Sequence, residues 1–242
     1  MCRRAMVSLK ARVLGGWLGD RILRDVVVEE VRQLGASYLH VVLGAAWLRQ
    51  EPPSPGDKVQ VFLPDVGART FTPFDADARS GRFSVIAYLH GESPATGWAR
   101  SLAVGTVVRF LGPRPSTPLS PLHRPLACFG DETSLGIARA VTALASPADC
   151  RVRLEVASVE RAGEACVALG ISHDSLVLRR RDDAHLGEIA QALSAFAGKH
   201  GTVLLTGRAA SIQRARALLR ASGEGRRQVV RAYWADGKRG LD

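Results

Sequence analysis

The period of the residue pattern changes near the middle of the chain, and this change constrains the fold more than any other feature. Before residue 112, polar and apolar residues alternate in short runs, as in Lys58–Leu63. After residue 124, short apolar runs alternate with segments whose apolar residues recur every three or four positions. The first pattern predicts an antiparallel barrel or sandwich. The second predicts a parallel sheet with helical crossovers.

A proline-rich segment, Gly112–Arg124, separates the two patterns and contains four prolines. Proline donates no backbone hydrogen bond, so it is disfavoured inside helices and central strands. We therefore predict two domains, formed by residues 1–120 and 121–242, and the length of 242 residues fits two modest domains. The groove between such domains is a common place for a cofactor.

Each half provides several candidate elements. The first half has five predicted strands: Val26–Val31, Tyr38–Leu43, Lys58–Leu63, Phe83–Leu89 and Thr106–Leu111. In the second half the predicted strands are Pro125–Gly130, Arg151–Ala157, Ser175–Leu178 and Gly201–Thr206. Between them the spacing predicts helices over Leu135–Leu144, Arg161–Leu169, the segment carrying Leu186, Ile189, Leu193 and Phe196, and Arg208–Ser222.

Composition excludes several classes of protein. The sequence has neither a Gly-X-Y period nor a long internal repeat, and no apolar stretch approaches the ~18 residues of a membrane span. Lys10 and Arg12 interrupt the apolar run of Met1–Gly19, so we expect no secretion signal and a cytoplasmic protein. The four cysteines form no C-x-x-C pair, so we expect reduced thiols and no metal site; they are Cys2, Cys128, Cys150 and Cys166.

Positive charge is concentrated towards the end of the chain. The net charge is +10, of which residues 201–242 contribute +6. Such a segment is typical of a protein that meets nucleic acid, a phosphate-bearing cofactor or a small polyanion, and also of a solvated helix face. Only 6% of residues are aromatic and no nucleic-acid-binding motif is present, which argues against nucleic acid as a partner.

Three short motifs point to a bound phosphate group. Arg69–Thr72 (RTFT) places a cation beside two hydroxyl groups and an aromatic ring, although an ordinary strand has the same composition. His90–Ala99 (HGESPATGWA) predicts a helix that begins near Pro94, where free amide groups suit a diphosphate. Gly130–Ser134 (GDETS) follows the first predicted parallel strand, where ligands bind in open α/β sheets.

Taken in order, these motifs resemble the siderophore-interacting protein family. The matching pieces are RTFT, YLHGESPATGWARSLAVGTVVRFLGPR, CFGDETSLGIARAV and the terminal YWADG, and the resemblance covers about residues 30–242. It implies a ferredoxin reductase-like fold: an N-terminal antiparallel flavin-binding β-barrel followed by a C-terminal parallel-sheet α/β domain for the nicotinamide nucleotide.

The resemblance also implies roles for individual residues. Those expected to bind FAD are Arg69, Thr70, Phe71, Thr72, His90, Gly91, Ala95, Thr96 and Trp98. Those expected near the nicotinamide nucleotide or the flavin are Asp131, Glu132, Thr133, Tyr233 and Trp234. Departures from the family pattern are Phe71 for tyrosine, Phe74 for arginine, Ile86 for aspartate, and Thr206-Gly207-Arg208 for Ala-Gly-Glu. They bear on flavin affinity more than on the fold.

The expected function is an NAD(P)H-dependent, FAD-containing reductase of ferric siderophores that releases iron as Fe(II). The sequence leaves open a flavin reductase with another acceptor, such as a quinone or free flavin. It also leaves open a degenerate non-catalytic protein or a nucleic-acid-binding protein. An anionic ferric chelate is the expected substrate, bound by a basic rim of Arg226, Arg227, Arg231, Lys238 and Arg239.

The choice between NADH and NADPH also stays open at this point. Candidate receptors for a 2′-phosphate are Arg151, Arg153 and the run Arg179–Arg181, although clustered arginines are equally typical of a solvated loop.

Overall fold

The computed structural model describes residues 23–63, 67–222 and 227–238. The segment Met1–Gly19, with its Cys2, and two residues of the expected rim, Arg226 and Arg239, lie outside this range. Within the described residues, no helix is both long and apolar enough to cross a membrane.

The N-terminal sheet has seven antiparallel strands in the order β4-β3-β7-β1-β2-β6-β5 and is barrel-like without closing. They are β1 Arg24–Leu34, β2 Tyr38–Gly44, β3 Asp57–Leu63, β4 Gly67–Phe71, β5 Phe74–Asp77, β6 Arg82–Tyr88 and β7 Val107–Pro115. A 3₁₀ turn spans Ala46–Arg49, and helix α1 spans Pro94–Ser101. Alternating residues such as Val59 and Val61 of β3 point into one core, as the period of two predicts.

The C-terminal sheet is parallel, with the order β10-β9-β8-β11-β12. Its strands are β8 Leu126–Asp131, β9 Cys150–Val156, β10 Leu176–Leu178, β11 Thr202–Arg208 and β12 Arg227–Trp234. Its helices are α2 Leu135–Leu144, α3 Val159–Ala168, α4 His185–Ala197 and α5 Ala209–Ala221, with 3₁₀ turns at Glu132–Ser134 and His173–Ser175. Helices α2 and α3 cover one face and α4 and α5 the other, which explains why β8 and β11 are buried almost throughout and rich in apolar residues.

The predicted fold class is confirmed, and the differences lie at the edges of the sheets. Strands β5 and β12 were not predicted, because both are edge strands and lack a clean alternation of buried and exposed residues. Strand β7 continues to Pro115, into the predicted linker. Its last residues pair with β3 alone and not with β1, and proline is tolerated where a strand has one free side.

The two sheets meet at α2. Leu34, Tyr38 and Phe74 of the N-terminal sheet share one buried cluster with α2 and α3. Gly136 lies so close to the Thr72 carbonyl that a Cβ there would be 2.7 Å from the oxygen. The RTFT segment therefore approaches the parallel sheet directly, while the division into residues 1–120 and 121–242 stays a prediction.

Candidate functional site

The C-terminal sheet has a topological switch point between β8 and β11. From β8 the chain continues outward through β9 and β10, and it then returns to the other side of β8 to form β11 and β12. In open α/β sheets, ligands bind outside the carboxyl ends of the strands at such a point. The residues that end these two strands, Asp131 and Arg208, are therefore the starting point for a candidate site.

Asp131 is fully buried, and both of its carboxylate oxygens accept hydrogen bonds. Oδ1 accepts from Thr133 N (2.9 Å), Thr133 Oγ1 (2.5 Å) and Ser134 Oγ (3.4 Å), whereas Oδ2 accepts from Trp234 Nε1 (2.7 Å). Burial raises the pKa of Asp131, although the bonds from Thr133 and Trp234 oppose this shift. The carboxylate is thus engaged with other parts of the chain at both oxygens.

Gly207 makes room for this carboxylate. A Cβ at residue 207 would lie 2.6 Å from the Asp131 carboxyl carbon, and its φ of +96° is in the region that favours glycine. The small residue of the Thr206-Gly207-Arg208 segment is therefore required by close packing at the switch point.

The end of β12 brings two aromatic residues to the same place. Gly207 pairs with Ala232 and Arg208 with Trp234, so Tyr233 is the extra residue of a β-bulge. Tyr233 Oη lies 3.4 Å from Thr72 Oγ1, at hydrogen-bonding distance, and links β12 to the N-terminal sheet. Burial raises the pKa of Tyr233, so the phenol is protonated at neutral pH. The structure thus brings together Thr72, Tyr233, Trp234, Asp131 and Thr133.

Arg208 lies beside these aromatic residues and was not assigned to the site from the sequence. Its guanidinium donates to Asp236 Oδ2 through Nη2 (2.6 Å) and Nε (3.2 Å). The guanidinium carbon is 5.7 Å from the centre of the Trp234 ring. The only sequence signal was its place in the segment that departs from the family pattern. Arg208 holds the residues after β12 near the switch point.

On β4, the RTFT motif is exposed in part. Arg69 and Thr70 are exposed; Arg69 Nη1 donates to the Ala68 carbonyl (2.9 Å), and Gln60 Nε2 donates to Thr70 Oγ1 (3.5 Å). Phe71 is half-buried and packs against the core of the N-terminal sheet, and Thr72 follows it at the contact with Tyr233. The motif therefore runs from solvent to the switch point.

The loop before α1 is open to solvent beside Gly91. Ser93 caps the helix by accepting from Thr96 N (3.1 Å), and Thr96 Oγ1 donates to the His90 carbonyl (3.1 Å). Gly91 has a φ of +58°, and a Cβ there would meet no atom within 4 Å. The first-turn N–H groups of a helix lack helical acceptors and favour anions. Pro94 has no N–H and the Thr96 N–H is bonded to Ser93, so the first turn offers the Ala95 N–H to a ligand.

The other residues predicted around α1 have ordinary packing roles as well. Ala95 and Trp98 are half-buried against the core of the N-terminal sheet, and the exposed His90 stacks on Tyr88 with ring centres 5.3 Å apart. Their roles in binding FAD stay predictions.

Sequence reasoning missed a buried charge network at the carboxyl ends of β8, β9 and β10. Glu132 accepts from Arg179 Nη2 (2.6 Å) and from the Ala157 amide (2.7 Å). Arg179 Nε lies 3.7 Å from Glu155 Oε1, and His185 Nε2 lies 2.7 Å from Glu155 Oε2. The available signal was Glu155, a charged residue at an inward position of a strand. Glu132, predicted to bind a cofactor, is held within this network.

Of the arginines considered for a 2′-phosphate, Arg181 is exposed and the other four have partners within the chain. Arg179 belongs to the buried network, and Arg153 Nη1 donates to the Asp174 carbonyl (2.9 Å). The guanidinium of Arg151 lies 4.9 Å from the ring centre of Phe196. Arg180 pairs loosely with Asp182 and Glu188. The structure therefore gives no preference for NADPH over NADH from these side chains.

Of the expected basic rim, the described members lie at different ends of β12. Arg227 begins the strand and is exposed, about 23 Å from Trp234 at 3.3 Å per residue, so it lies away from the switch point. Arg231 is close enough to Tyr233 for its charge to oppose the rise in the phenol pKa. Lys238 follows β12 at its carboxyl end and is exposed. Arg231 and Lys238 are therefore the described members placed towards the candidate site.

In the described part of the chain, no group of three or more His, Cys, Asp or Glu residues is positioned to hold a metal ion. Cys128, Cys150 and Cys166 are buried free thiols. Burial raises the pKa of Cys128 and of Cys166 to about 12, so neither is a thiolate at neutral pH.

Comparison with known proteins agrees with this architecture. Residues 66–117, which contain the RTFT motif, the α1 loop and β7, match the family model of the siderophore-interacting FAD-binding domain. Among curated proteins, none matches the chain by sequence.

Solved structures extend the likeness over most of the chain. A siderophore utilization protein from T. fusca is 22% identical with a TM-score of 0.69, over 91% of this chain and 95% of that one. The siderophore-interacting protein from Acinetobacter baumannii is 16% identical with a TM-score of 0.67, over 90% and 91%. Phthalate dioxygenase reductase is 12% identical with a TM-score of 0.66, over 91% and 71%. The resemblance found in the sequence is thus confirmed, and the fold is ferredoxin reductase-like.

Proposed function

We propose that the protein is an FAD-containing reductase that takes electrons from NAD(P)H and reduces a ferric siderophore, which then releases Fe(II). The observation that carries this proposal is the position of the family match. Its RTFT motif ends at Thr72, and Thr72 lies 3.4 Å from Tyr233 at the switch point of the parallel sheet. A flavin on the first sheet would there face a nucleotide on the second.

The residues present fit FAD. The open space beside Gly91 and the Ala95 N–H in the first turn of α1 suit a phosphate group, because a backbone N–H at the positive end of a helix dipole favours an anion. Arg69 is exposed on β4 and can turn its guanidinium to a phosphate. Phe71 presents a ring in the same strand, next to the contact between Thr72 and Tyr233.

In this reaction, the residues of the chain would bind and orient the flavin and the nucleotide. Arg69 and the α1 turn would hold the phosphates, Phe71 would lie against the flavin ring, and Tyr233 would fix the approach of the two sheets. The cofactor supplies the exchange between two-electron and one-electron transfer, and the protein supplies position and charge. Iron is the substrate: anionic oxygen donors hold Fe(II) far less tightly than Fe(III), so reduction releases it.

The electron acceptor is the least constrained part of the proposal. Phthalate dioxygenase reductase shares this fold and passes electrons to a [2Fe–2S] centre, so the fold alone does not select a ferric chelate. A reductase acting on a quinone or on free flavin is therefore the second candidate, and an acceptor panel separates the two.

The test begins with flavin binding. The purified full-length chain should take up FAD and show flavin absorbance. Because a charge-assisted contact contributes about 1.5–3 kcal/mol, Arg69→Ala should weaken FAD binding by about one to two decades. Arg79→Ala, an exposed arginine in the turn between β5 and β6, is the matched control and should leave FAD affinity unchanged.

Turnover then identifies the acceptor. Oxidation of NADH and NADPH is followed with an anionic ferric siderophore, a quinone and free flavin as acceptors. Selective reduction of the ferric chelate supports the proposal, and selective reduction of a quinone or free flavin supports the second candidate. A protein that binds no FAD at micromolar concentration would refute both.

A further inference from the structure

The two oxygens of Asp131 have different partners. Oδ1 accepts hydrogen bonds from the turn that follows β8, namely from Thr133 and Ser134. Oδ2 accepts from the indole N–H of Trp234, a residue 103 positions later in the chain. The turn after β8 is closed by the hydrogen bonds to Oδ1. A role in stabilising this turn therefore does not explain the hydrogen bond that Oδ2 accepts.

The Trp234 indole depends on this contact for its orientation. Trp234 is half-exposed and belongs to β12, the edge strand of the parallel sheet, directly after the bulge at Tyr233. On an edge strand, one side of the backbone has no neighbouring strand to restrict it. The indole N–H donates a 2.7 Å hydrogen bond to a fully buried carboxylate, and the Arg208 guanidinium carbon lies 5.7 Å from the ring centre, so both contacts restrain the ring.

The surroundings of Asp131 are arranged to keep this bond. Gly207 leaves the space that the carboxylate occupies, since a Cβ there would be 2.6 Å from it. Because the carboxylate is fully buried, water does not compete for Oδ2. A hydrogen bond to a carboxylate in such surroundings is among the stronger polar contacts of a protein.

We propose that Asp131 is a positioning residue: its Oδ2 fixes the Trp234 indole as one wall of the switch point and thereby sets the affinity for the nicotinamide nucleotide. This inference rests on the proposed function. The hydrogen bond holds the indole in one rotamer before the nucleotide binds. Nucleotide binding therefore does not carry the entropic cost of ordering this side chain. Releasing the indole should weaken nucleotide binding and leave FAD binding and the later chemical step largely unchanged.

The bond itself is tested without turnover. Protein labelled with ¹⁵N-tryptophan gives indole N–H signals, and Trp234→Phe identifies the one that belongs to Trp234. In Asp131→Ala this signal should move upfield, and its exchange with solvent should accelerate at least tenfold. Ser134→Ala removes contacts to Oδ1, to the Asp131 amide and to the Thr206 hydroxyl but none to Oδ2, so it is the control and should leave the signal in place. An unmoved signal in Asp131→Ala would overturn the proposal.

The functional consequence is tested by a double-mutant cycle. Asp131→Ala and Trp234→Phe should each raise KM for the nucleotide about tenfold, the equivalent of about 1.4 kcal/mol, with kcat and FAD affinity changed less than twofold. Because Asp131→Ala already breaks the bond to the Trp234 indole, adding Trp234→Phe to it should raise KM no further. Trp47→Phe, in the 3₁₀ turn Ala46–Arg49 beside the N-terminal sheet, removes an indole N–H that donates to the Asp25 carbonyl and is the matched control with unchanged KM.

Several outcomes would contradict this reasoning. A double variant whose KM rises by the product of the single effects would separate Asp131 from Trp234, as would a fall in kcat with KM unchanged. If Asp131→Ala does not fold, Trp234→Phe alone must still raise KM, because it removes the N–H and retains an aromatic ring. A wild-type chain that binds no nicotinamide nucleotide would refute the proposed function, and the indole signals would then decide separately whether Asp131 holds Trp234.

Discussion

Removing Arg179 should destabilise the C-terminal sheet far more than removing the arginine beside it. The Arg179 guanidinium faces Glu132 and Glu155, whose side chains are only 7% and 1% exposed. The amide of Arg180 donates to His185 Nδ1, so Nε2 carries the ring proton and donates to Glu155. Arg179 provides the permanent positive charge that faces the two buried carboxylates.

The size of the effect follows from burial. Removing one partner of a buried ion pair costs about 3–5 kcal/mol, because a buried charge loses its partner. The Arg179 side chain retains 23% exposure, so the lower half of this range applies, about 3–4 kcal/mol. For a chain of this size, 1 kcal/mol corresponds to about 2–4 °C in Tm, so Arg179→Met should lower Tm by about 6–16 °C.

Thermal unfolding of the full chain at neutral pH, followed by circular dichroism, measures this difference. Arg180→Met is the matched control: its side chain is 52% exposed and its pairs with Asp182 and Glu188 are long, so its loss should cost about 0–1 kcal/mol. Equal shifts in Tm for the two variants would refute the reasoning, because the network would then contribute no more than a surface pair.

Three further predictions concern the flavin, the substrate and pH. Phe71→Tyr should tighten FAD by about 0.5–1.5 kcal/mol through one added hydrogen bond, measured by fluorescence titration of flavin-free protein; an unchanged Kd would place the ring edge away from the flavin. Reduction of an anionic ferric chelate should slow as the salt concentration rises, while reduction of a neutral acceptor should be unaffected. Lys238→Glu should weaken this salt dependence, whereas Arg227→Glu, at the far end of β12, should not. Burial raises the folded-state pKa of Asp131 above its unfolded value, so its contribution to stability falls as pH rises through the window above the ordinary Asp pKa. Denaturant unfolding across that window should therefore show a decline in wild type that Asp131→Asn lacks.

The fold was largely predictable because the core follows simple periods. Val59 and Val61 alternate into the N-terminal core, and Leu186, Ile189 and Leu193 form the buried stripe of α4. Strand β12 was not predicted, because Arg227 and Arg231 interrupt its apolar residues and each residue is exposed or only half-buried. An edge strand is fixed by pairing with its neighbour, and that partner lies far away in the sequence.

The motifs predicted several residues that the structure brings to the switch point, but neither Arg208 nor the internal contacts could be predicted. The RTFT and GDETS motifs identified Thr72 and Asp131 through their resemblance to a family. No local pattern shows that Asp131 bonds Trp234, or that Glu155 is paired with His185 and Arg179. Such contacts depend on which strands become neighbours, and one register shift at Tyr233 decides where Trp234 lies.

The switch point is built by β12 as much as by the strands that define it. Asp131 ends β8, Gly207 and Arg208 end β11, and each contacts a residue at or just after the end of β12. Tyr233 adds the contact to Thr72, so one bulged strand end touches both sheets. The bulge brings two consecutive aromatic residues, Tyr233 and Trp234, to the same end of the sheet. The contact between the two sheets and one wall of the candidate nucleotide site therefore come from adjacent residues. A change that shifts the end of β12 should therefore alter flavin geometry and nucleotide access together, whereas a change at Asp131 should act through Trp234 and through the turn at Thr133.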